Sequence, residues 1–358
     1  MFEEITKPTL VVNGRRAREN IRRVARKAKS SGVVFRPHFK THQSALVGGW
    51  FREEGVGAIT VSSVFMAQYF AEHGWTDILI AFPLNIREFA HVQELATKVK
   101  IHVLVENEEA ARFLSTSSTV PLSVWLEVDT NYHRSGVWWE DHEKFLRLAE
   151  IVQKNTNLCL EGVLTHAGHS YRTKGPQEIA RVWHETVDAM TQVKERLAEN
   201  GCSELAISVG DTPTASVVDD YRGVDEVRPG NMVYYDLMQL QSGSCSVDDI
   251  ACVLACPVVS KHPERGELVL YGGAVHLSKE QLHLGETNKP IYGKLGLFEG
   301  LGWGNLITDT YVSSLSQEHG LVKGSSEIIE KIQVGDLMAV FPVHSCLVAN
   351  LVKEMVVV

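Results

Sequence analysis

The sequence predicts an α/β fold, a (β/α)8 TIM barrel followed by a second, mostly β C-terminal domain. Three observations carry this expectation. Apolar strand-like runs alternate with amphipathic helical stretches through residue 235, which implies parallel strands joined by helical crossovers. About eight such strands fall in a stretch close to the ~250 residues that a closed barrel occupies. Past residue 240 the helical periodicity stops, and short strands separated by Gly, Pro, Asn and Asp turns take over.

In chain order, Thr9–Asn13 is a strand free to join either part. Arg15–Ser30 is a helix with an apolar stripe of Ile21, Val24, Ala25 and Ala28, stopped by Gly32. Val33–Ser44 opens as an apolar strand and then gathers Arg36, His38, Lys40 and His42 around Pro37. On a strand, Lys40 points away from the face shared by Phe39 and Thr41. Strands follow at Ala58–Val61, Asp77–Phe82, Ile101–Val105, Leu122–Val128, Leu160–Thr165 and Ala206–Val209. Helices separate them at Ser63–Glu72, Ile86–Lys98, Glu108–Leu114, Trp138–Thr156 and Gly175–Asn200. Val224–Arg228 and Met232–Tyr235 close the series as strands. A doubly wound sheet that binds a dinucleotide would need Gly-x-Gly-x-x-Gly after its first strand, and none is present. The second domain is expected to use Ala251–Ser260, Glu267–Tyr271, Thr308–Ser313 and Leu337–Pro342 as strands.

Composition narrows the function classes. A net charge of −9 with no basic block gives no reason to expect a nucleic-acid or membrane partner. Six scattered cysteines in 358 residues do not make a disulfide framework. The N-terminal stretch is too polar for a signal peptide, and no run approaches the ~18 apolar residues of a membrane span. The expected address is the cytoplasm.

Chemistry on such a barrel sits at the C-terminal ends of its strands. Five strand ends finish in polar clusters: His38, Lys40 and His42; Glu127, Asp129, Asn131, His133 and Arg134; Thr165, His166, His169 and Tyr171; Gly210, Asp211 and Thr212; and Arg228, Pro229, Gly230 and Asn231. Ser208–Ser216 and Arg228–Asn231 are rich in backbone donors of the kind that cradle a phosphate. A lysine near such a cradle points to pyridoxal 5'-phosphate, which carries a phosphate handle and an aldehyde that needs an amine anchor. Near the C-terminus, His344 and Cys346 are two residues apart, so on a strand they share a face. Imidazole and thiolate together suit Zn2+, and two protein ligands leave positions open for substrate.

The Arg36-Pro-His-Phe-Lys-Thr-His42 stretch resembles the cofactor-lysine motif of the D-serine dehydratase and D-threonine aldolase family, which is alanine-racemase-like (fold type III). Segments 129–136, 164–171, 208–214, 227–231 and 342–346 are similar to family segments in the same order. The resemblance implies a barrel over 14–240 and a β-domain formed by 1–13 plus 241–358. It implies a homodimer with active sites near the subunit interface. Lys40 would anchor the cofactor and act as base, His166 would pack against its ring, and Arg134 would approach its phenolic oxygen. Gly210, Thr212, Gly230 and Asn231 would hold the phosphate, and Arg228 or Tyr171 would stand near the pyridine nitrogen. His344 and Cys346 would bind zinc; aldolases of this family carry Asp at the second position, so Cys346 favours dehydration.

The implied activity is zinc-assisted elimination of water from a D-3-hydroxyamino acid, with release of ammonia. D-serine would give pyruvate, and a 3-hydroxy-D-aspartate would give oxaloacetate. The rival reading is a D-threonine or 3-hydroxy-D-amino acid aldolase, which breaks Cα–Cβ with the same parts. A racemase would need a second base, for which no residue stands out, and a non-catalytic cofactor carrier would not need the β-domain. Arg36, His133, Arg134, Gln317 and His319 are open candidates for the substrate carboxylate.

Overall fold

The computed structural model describes residues 2–284 and 288–358. The chain divides into two compact units, Ile21–Gly230 and a second formed by the residues up to Asn20 together with Asn231–Val358.

In the first unit, eight parallel strands curl into a barrel. Their order around the sheet is Val34–Phe35, Glu226–Val227, Ala206–Val209, Leu158–Thr165, Leu122–Asp129, Lys100–Val105, Asp77–Pro83 and Ile59–Val61. A parallel bridge between His38 and Thr60 brings the two ends of this order together. The central strands, Lys100–Val105 and Leu122–Asp129 above all, are buried on both faces because helices cover the outside, and this explains their near-continuous apolar runs. Leu79, Leu104, Trp125 and Leu164 fill part of the barrel interior. Side-chain caps start several helices: Ser44 accepts the Val47 N–H before Ala45–Glu53, and Asn107 accepts the Ala110 N–H before Glu108–Ser117.

In the second unit the pairing is antiparallel and closes on itself. Cys252–His262 pairs with Leu337–Pro342 and with Glu267–Tyr271; Gly293–Glu299, Tyr311–Leu315 and His319–Lys323 complete the ring. The Thr9–Val12 strand joins this sheet, antiparallel to Cys252–His262 and parallel to Met355–Val357.

Several local expectations change. The strand that leads to Lys40 is only Val34–Phe35, and Lys40 lies in a turn beyond it. Pro37 has no N–H for the ladder. The segment instead crosses from one neighbour to the other: the His38 N–H donates to Pro229 O and the Phe39 N–H to Thr60 O. Met232–Tyr235 is not a strand; Asn231–Val233 is a short 3-10 turn, and Tyr235 has φ 50°. His344 and Cys346 do not lie on a strand either. Leu337–Pro342 ends first, His344 is the N-cap of the helix Ser345–Leu351, and Cys346 is in its first turn. The Ala45–Glu53, Thr212–Val217 and Leu237–Ser242 helices are additional elements. Among the described residues, no helix is long and apolar enough to cross a membrane.

Candidate active site

The barrel unit gathers most of the expected residues around Lys40. Lys40 is partly buried, and its backbone N–H reaches His38 Nδ1 at 3.4 Å. His38 is held well below the usual imidazole range, first by desolvation and then by the positive charges of Lys40, Arg228 and Arg134. His166 is lowered in the same way, by desolvation and by Lys40 and Arg134, although its Nδ1 meets the Gly210 carbonyl. Two neutral imidazoles thus stand in the field of Lys40, Arg134 and Arg228, an arrangement that favours an anionic ligand. Arg134 is exposed and lies 5.2 Å from the Tyr132 ring centre, and Tyr132 meets His166 edge to face at 5.7 Å.

Arg228 is buried and held through its own strand neighbours. Its Nε donates to Ser208 Oγ at 2.7 Å, and its Nη2 donates to the Thr165 carbonyl. Burial lowers its guanidinium to about 10, against the opposing charges of Glu226 and Glu127. Glu127 is buried too, and its carboxyl is raised by that burial; Ser135 Oγ donates to its Oε1 at 2.8 Å.

Two glycines permit close approach in this region. A Cβ on Gly210 would come within 2.7 Å of the Arg228 guanidinium, and one on Gly230 within 2.6 Å of the His38 carbonyl oxygen. Beside Gly210, Asp211 caps Thr212–Val217: its Oδ1 accepts the Thr214 N–H at 2.8 Å and Ser170 Oγ at 2.9 Å. The Thr212 N–H donates to Tyr171 Oη at 3.3 Å. Thr212 Oγ1 is buried and has no hydrogen-bond partner among the described residues. A buried hydroxyl without a partner, on a barrel end that also carries the Arg228 and Lys40 cations, fits a phosphate. Pyridoxal phosphate therefore fits the residues present.

His42, by contrast, belongs to the core. It packs against Phe39 and Phe51, accepts the Ser44 N–H at 3.1 Å, and is lowered by burial to about 3. Arg36 is also buried, ion-paired to Glu226 and Asp77. Of the open carboxylate candidates, His133 is tied to Asp129 at 2.8 Å.

The second unit carries the other expected pair. The His344 and Cys346 side chains are hydrogen-bonded to each other. Burial works to lower His344, but the bond to Cys346 and the charges of Cys346, Asp236 and Glu280 outweigh it and raise the imidazole to about 9. His344 Nδ1 is buried without a partner among the described residues. An orphaned ring nitrogen beside a buried sulfur fits a soft divalent metal. Among the described residues no group of three or more His, Cys, Asp or Glu side chains is placed to hold a metal. Asn231, the remaining expected phosphate residue, turns its side chain into this unit. Its Nδ2 meets Asp236 Oδ2 at 2.6 Å, Ser345 Oγ at 3.1 Å and Cys346 Sγ at 3.4 Å. Asp236 was not singled out from sequence; its signal is that of an N-cap, three residues before Gln239, whose N–H it accepts.

A parallel barrel with an embedded cationic lysine loop, and a β-domain with a hydrogen-bonded His–Cys pair, define a class of cofactor-dependent enzyme. The family described as "Alanine racemase, N-terminal domain" matches residues 12–237, and the "Putative serine dehydratase domain" matches residues 251–358. The chain belongs to the alanine racemase N-terminal domain family, whose fold type III members depend on pyridoxal phosphate. It is 28% identical over 348 residues to the D-threo-3-hydroxyaspartate dehydratase of Delftia sp., covering 95% of this chain and 90% of that enzyme. The solved structure of the Delftia enzyme superposes with a TM-score of 0.92 at 26% identity, covering 99% of this chain and 96% of that one. A variant of a D-threo-3-hydroxyaspartate dehydratase, described in its metal-free form, superposes at 0.90 with 27% identity, covering 98% and 93%. The D-serine dehydratase of Dictyostelium discoideum is 26% identical over 379 residues, covering 99% and 93%.

Proposed function

We propose that this protein is a pyridoxal phosphate- and zinc-dependent dehydratase of D-3-hydroxyamino acids that releases ammonia, with D-serine or a 3-hydroxy-D-aspartate as substrate. The carrying observation is the hydrogen-bonded His344–Cys346 pair in a chain that also places Lys40 among cations. The full-length likeness to two named dehydratases supports the same reading.

In this reading Lys40 Nζ would hold the cofactor aldehyde, and its amine would be the base for the proton at the substrate Cα. The bound cofactor ring supplies an acceptor for the electrons left at Cα. Thr212, Gly210, Gly230 and the Asn231 backbone hold its phosphate, together with Tyr171, whose hydroxyl already meets the Thr212 N–H. Arg228 serves the pyridine nitrogen, and as a buried guanidinium it brings a hydrogen-bond donor there and no acceptor. His166 would pack against the ring, and Arg134 would approach the phenolic oxygen. Zinc on His344 and Cys346 supplies the Lewis acidity that makes a β-hydroxyl a competent leaving group. The working form in this reading is a homodimer.

The deciding assay offers D-serine, D-threonine, both 3-hydroxy-D-aspartates and D-alanine to the purified protein. Keto acid with stoichiometric ammonia from a hydroxyamino acid is expected. Aldehyde from D-threonine would make it an aldolase, and racemised D-alanine a racemase; either result without keto acid rejects the dehydratase.

A further inference from the structure

The Asn231 side chain has more to do than its place in a phosphate loop requires. It is buried, at 5% exposure, and its amide is fixed in one orientation by a carboxylate. Asp236 Oδ2 lies 2.6 Å from Asn231 Nδ2, so that atom is the donor, and Oδ1 is the acceptor end. Asp236 is itself immobilised: its Oδ2 also accepts the Ser345 N–H at 2.9 Å and Ser345 Oγ at 3.2 Å, while its Oδ1 accepts the Gln239 N–H at 3.0 Å. Held in this way, Asn231 Nδ2 points its second hydrogen at Ser345 Oγ and Cys346 Sγ, at 3.1 Å and 3.4 Å. Asn231 Oδ1 is buried and has no hydrogen-bond partner among the described residues. A buried amide oxygen left without a donor, on a side chain otherwise fully engaged, calls for a ligand that brings one.

We propose that Asn231 is the positioning residue of the metal pair, its Nδ2 holding Cys346 Sγ in place as a ligand while its Oδ1 accepts a hydrogen bond from a water on the metal. This deepens the dehydratase reading and rests on its assignment of His344 and Cys346 as the metal ligands. A donor to the sulfur fixes the direction in which Cys346 Sγ presents itself to a metal. An acceptor for bound water fixes the open coordination position where a substrate hydroxyl would exchange in. Both functions come from one side chain because Asp236 prevents the amide from flipping.

The test measures metal retention by the cofactor-loaded enzyme, with Zn2+ competed by a chromophoric chelator and with Co2+ substituted as a spectroscopic probe. Asn231→Ala is expected to weaken Zn2+ retention by about 10- to 100-fold. It should also shift the thiolate-to-Co2+ absorption band and leave the cofactor absorbance unchanged. Asn231→Asp, which keeps the side-chain volume but withdraws the N–H donors, carries the test if Asn231→Ala does not fold by circular dichroism. Ser345→Ala disturbs the same buried cluster while keeping the Asn231–Cys346 bond, and should retain Zn2+ within about threefold, well short of the loss expected from removing an outer-shell partner. Unchanged Zn2+ retention and an unchanged Co2+ band in the Asn231 variants would overturn the proposal and leave the metal pair standing. Loss of cofactor absorbance with metal retention intact would overturn it in favour of a phosphate role for this side chain. Failure of the parent enzyme to bind metal, or equal binding after His344→Ala, would overturn both the proposal and the zinc reading.

Discussion

Arg36 and Arg228 are joined through one carboxylate and one hydroxyl: Arg36 Nε donates to Glu226, Ser208 Oγ donates to the other oxygen of Glu226 at 2.7 Å, and Arg228 Nε donates to that same Ser208 Oγ at 2.7 Å. The array extends beyond Arg36 to Asp77, from Asp77 to His102 at 3.0 Å, and from His102 to Trp125 Nε1 at 3.1 Å. It crosses the interior of the barrel and ends on Arg228, the guanidinium proposed to serve the pyridine nitrogen.

Removing one end leaves buried charge without a partner. Arg36→Met is expected to cost about 3–5 kcal/mol of unfolding free energy, because Glu226 loses its cation in a dry setting. Urea denaturation measures it. Arg36→Lys should recover only part of the loss, since a point charge cannot pair with Glu226 and Asp77 in the same fork geometry. A loss below about 1 kcal/mol for Arg36→Met, the scale of an exposed ion pair, would contradict this account.

Gly230→Ala places a Cβ 2.6 Å from the His38 carbonyl oxygen, a backbone atom two residues before Lys40. The His38 segment must move, so cofactor affinity, followed by absorbance titration, is expected to fall at least about tenfold, the ~1.4 kcal/mol of a modest misfit. Equal affinity would show that the loop yields without moving Lys40.

Asp211 gives the chain a pH signature. Burial raises its carboxyl to about 6, above the 3.8 of an ordinary aspartate, despite the bonds from Thr214 and Ser170. The folded state therefore keeps a proton that the unfolded chain has lost. Stability from this group is full below about pH 4, falls as pH rises toward 6, and is flat above, a span of about 3 kcal/mol. Asp211→Asn removes that slope. The stability of the variant relative to the parent should rise between pH 4 and pH 7, as read from urea midpoints at matched cofactor loading. A pH-independent difference would place the Asp211 titration elsewhere.

His344→Ala is expected to lose bound zinc by elemental analysis while keeping both its circular dichroism spectrum and the visible band of the cofactor. Lys40→Ala should do the reverse, losing the band and keeping the metal. If one substitution removes both, the two groups are not held independently.

The sequence made these two centres visible to different degrees. Lys40 stood out because four basic side chains crowd one proline, yet the strand assumed for it ends at Phe35, since Pro37 breaks the ladder that the apolar run begins. The His344–Cys346 spacing revealed the pair but misstated how it forms: an N-cap and a first-turn residue meet where a shared strand face was expected. The Thr9–Val12 strand could not be assigned from its own residues, because Cys252–His262, which it pairs with, lies far along the chain. The Arg36–Glu226 and Asn231–Cys346 contacts were equally hidden. Each joins positions far apart in sequence, and nothing in local periodicity marks a partner that only tertiary folding supplies.

The His38–Thr60 bridge has a consequence for when this protein becomes an enzyme. Val34–Phe35 pairs with Glu226–Val227 on one side, and His38 meets Thr60 on the other, so the seam of the barrel runs through the segment that ends at Lys40. A nascent chain lacking residues 226–227 has no wall against which to set that lysine. In the proposed reading, cofactor capture at Lys40 follows synthesis of the whole barrel, and the rise of cofactor absorbance would time the moment the seam shuts.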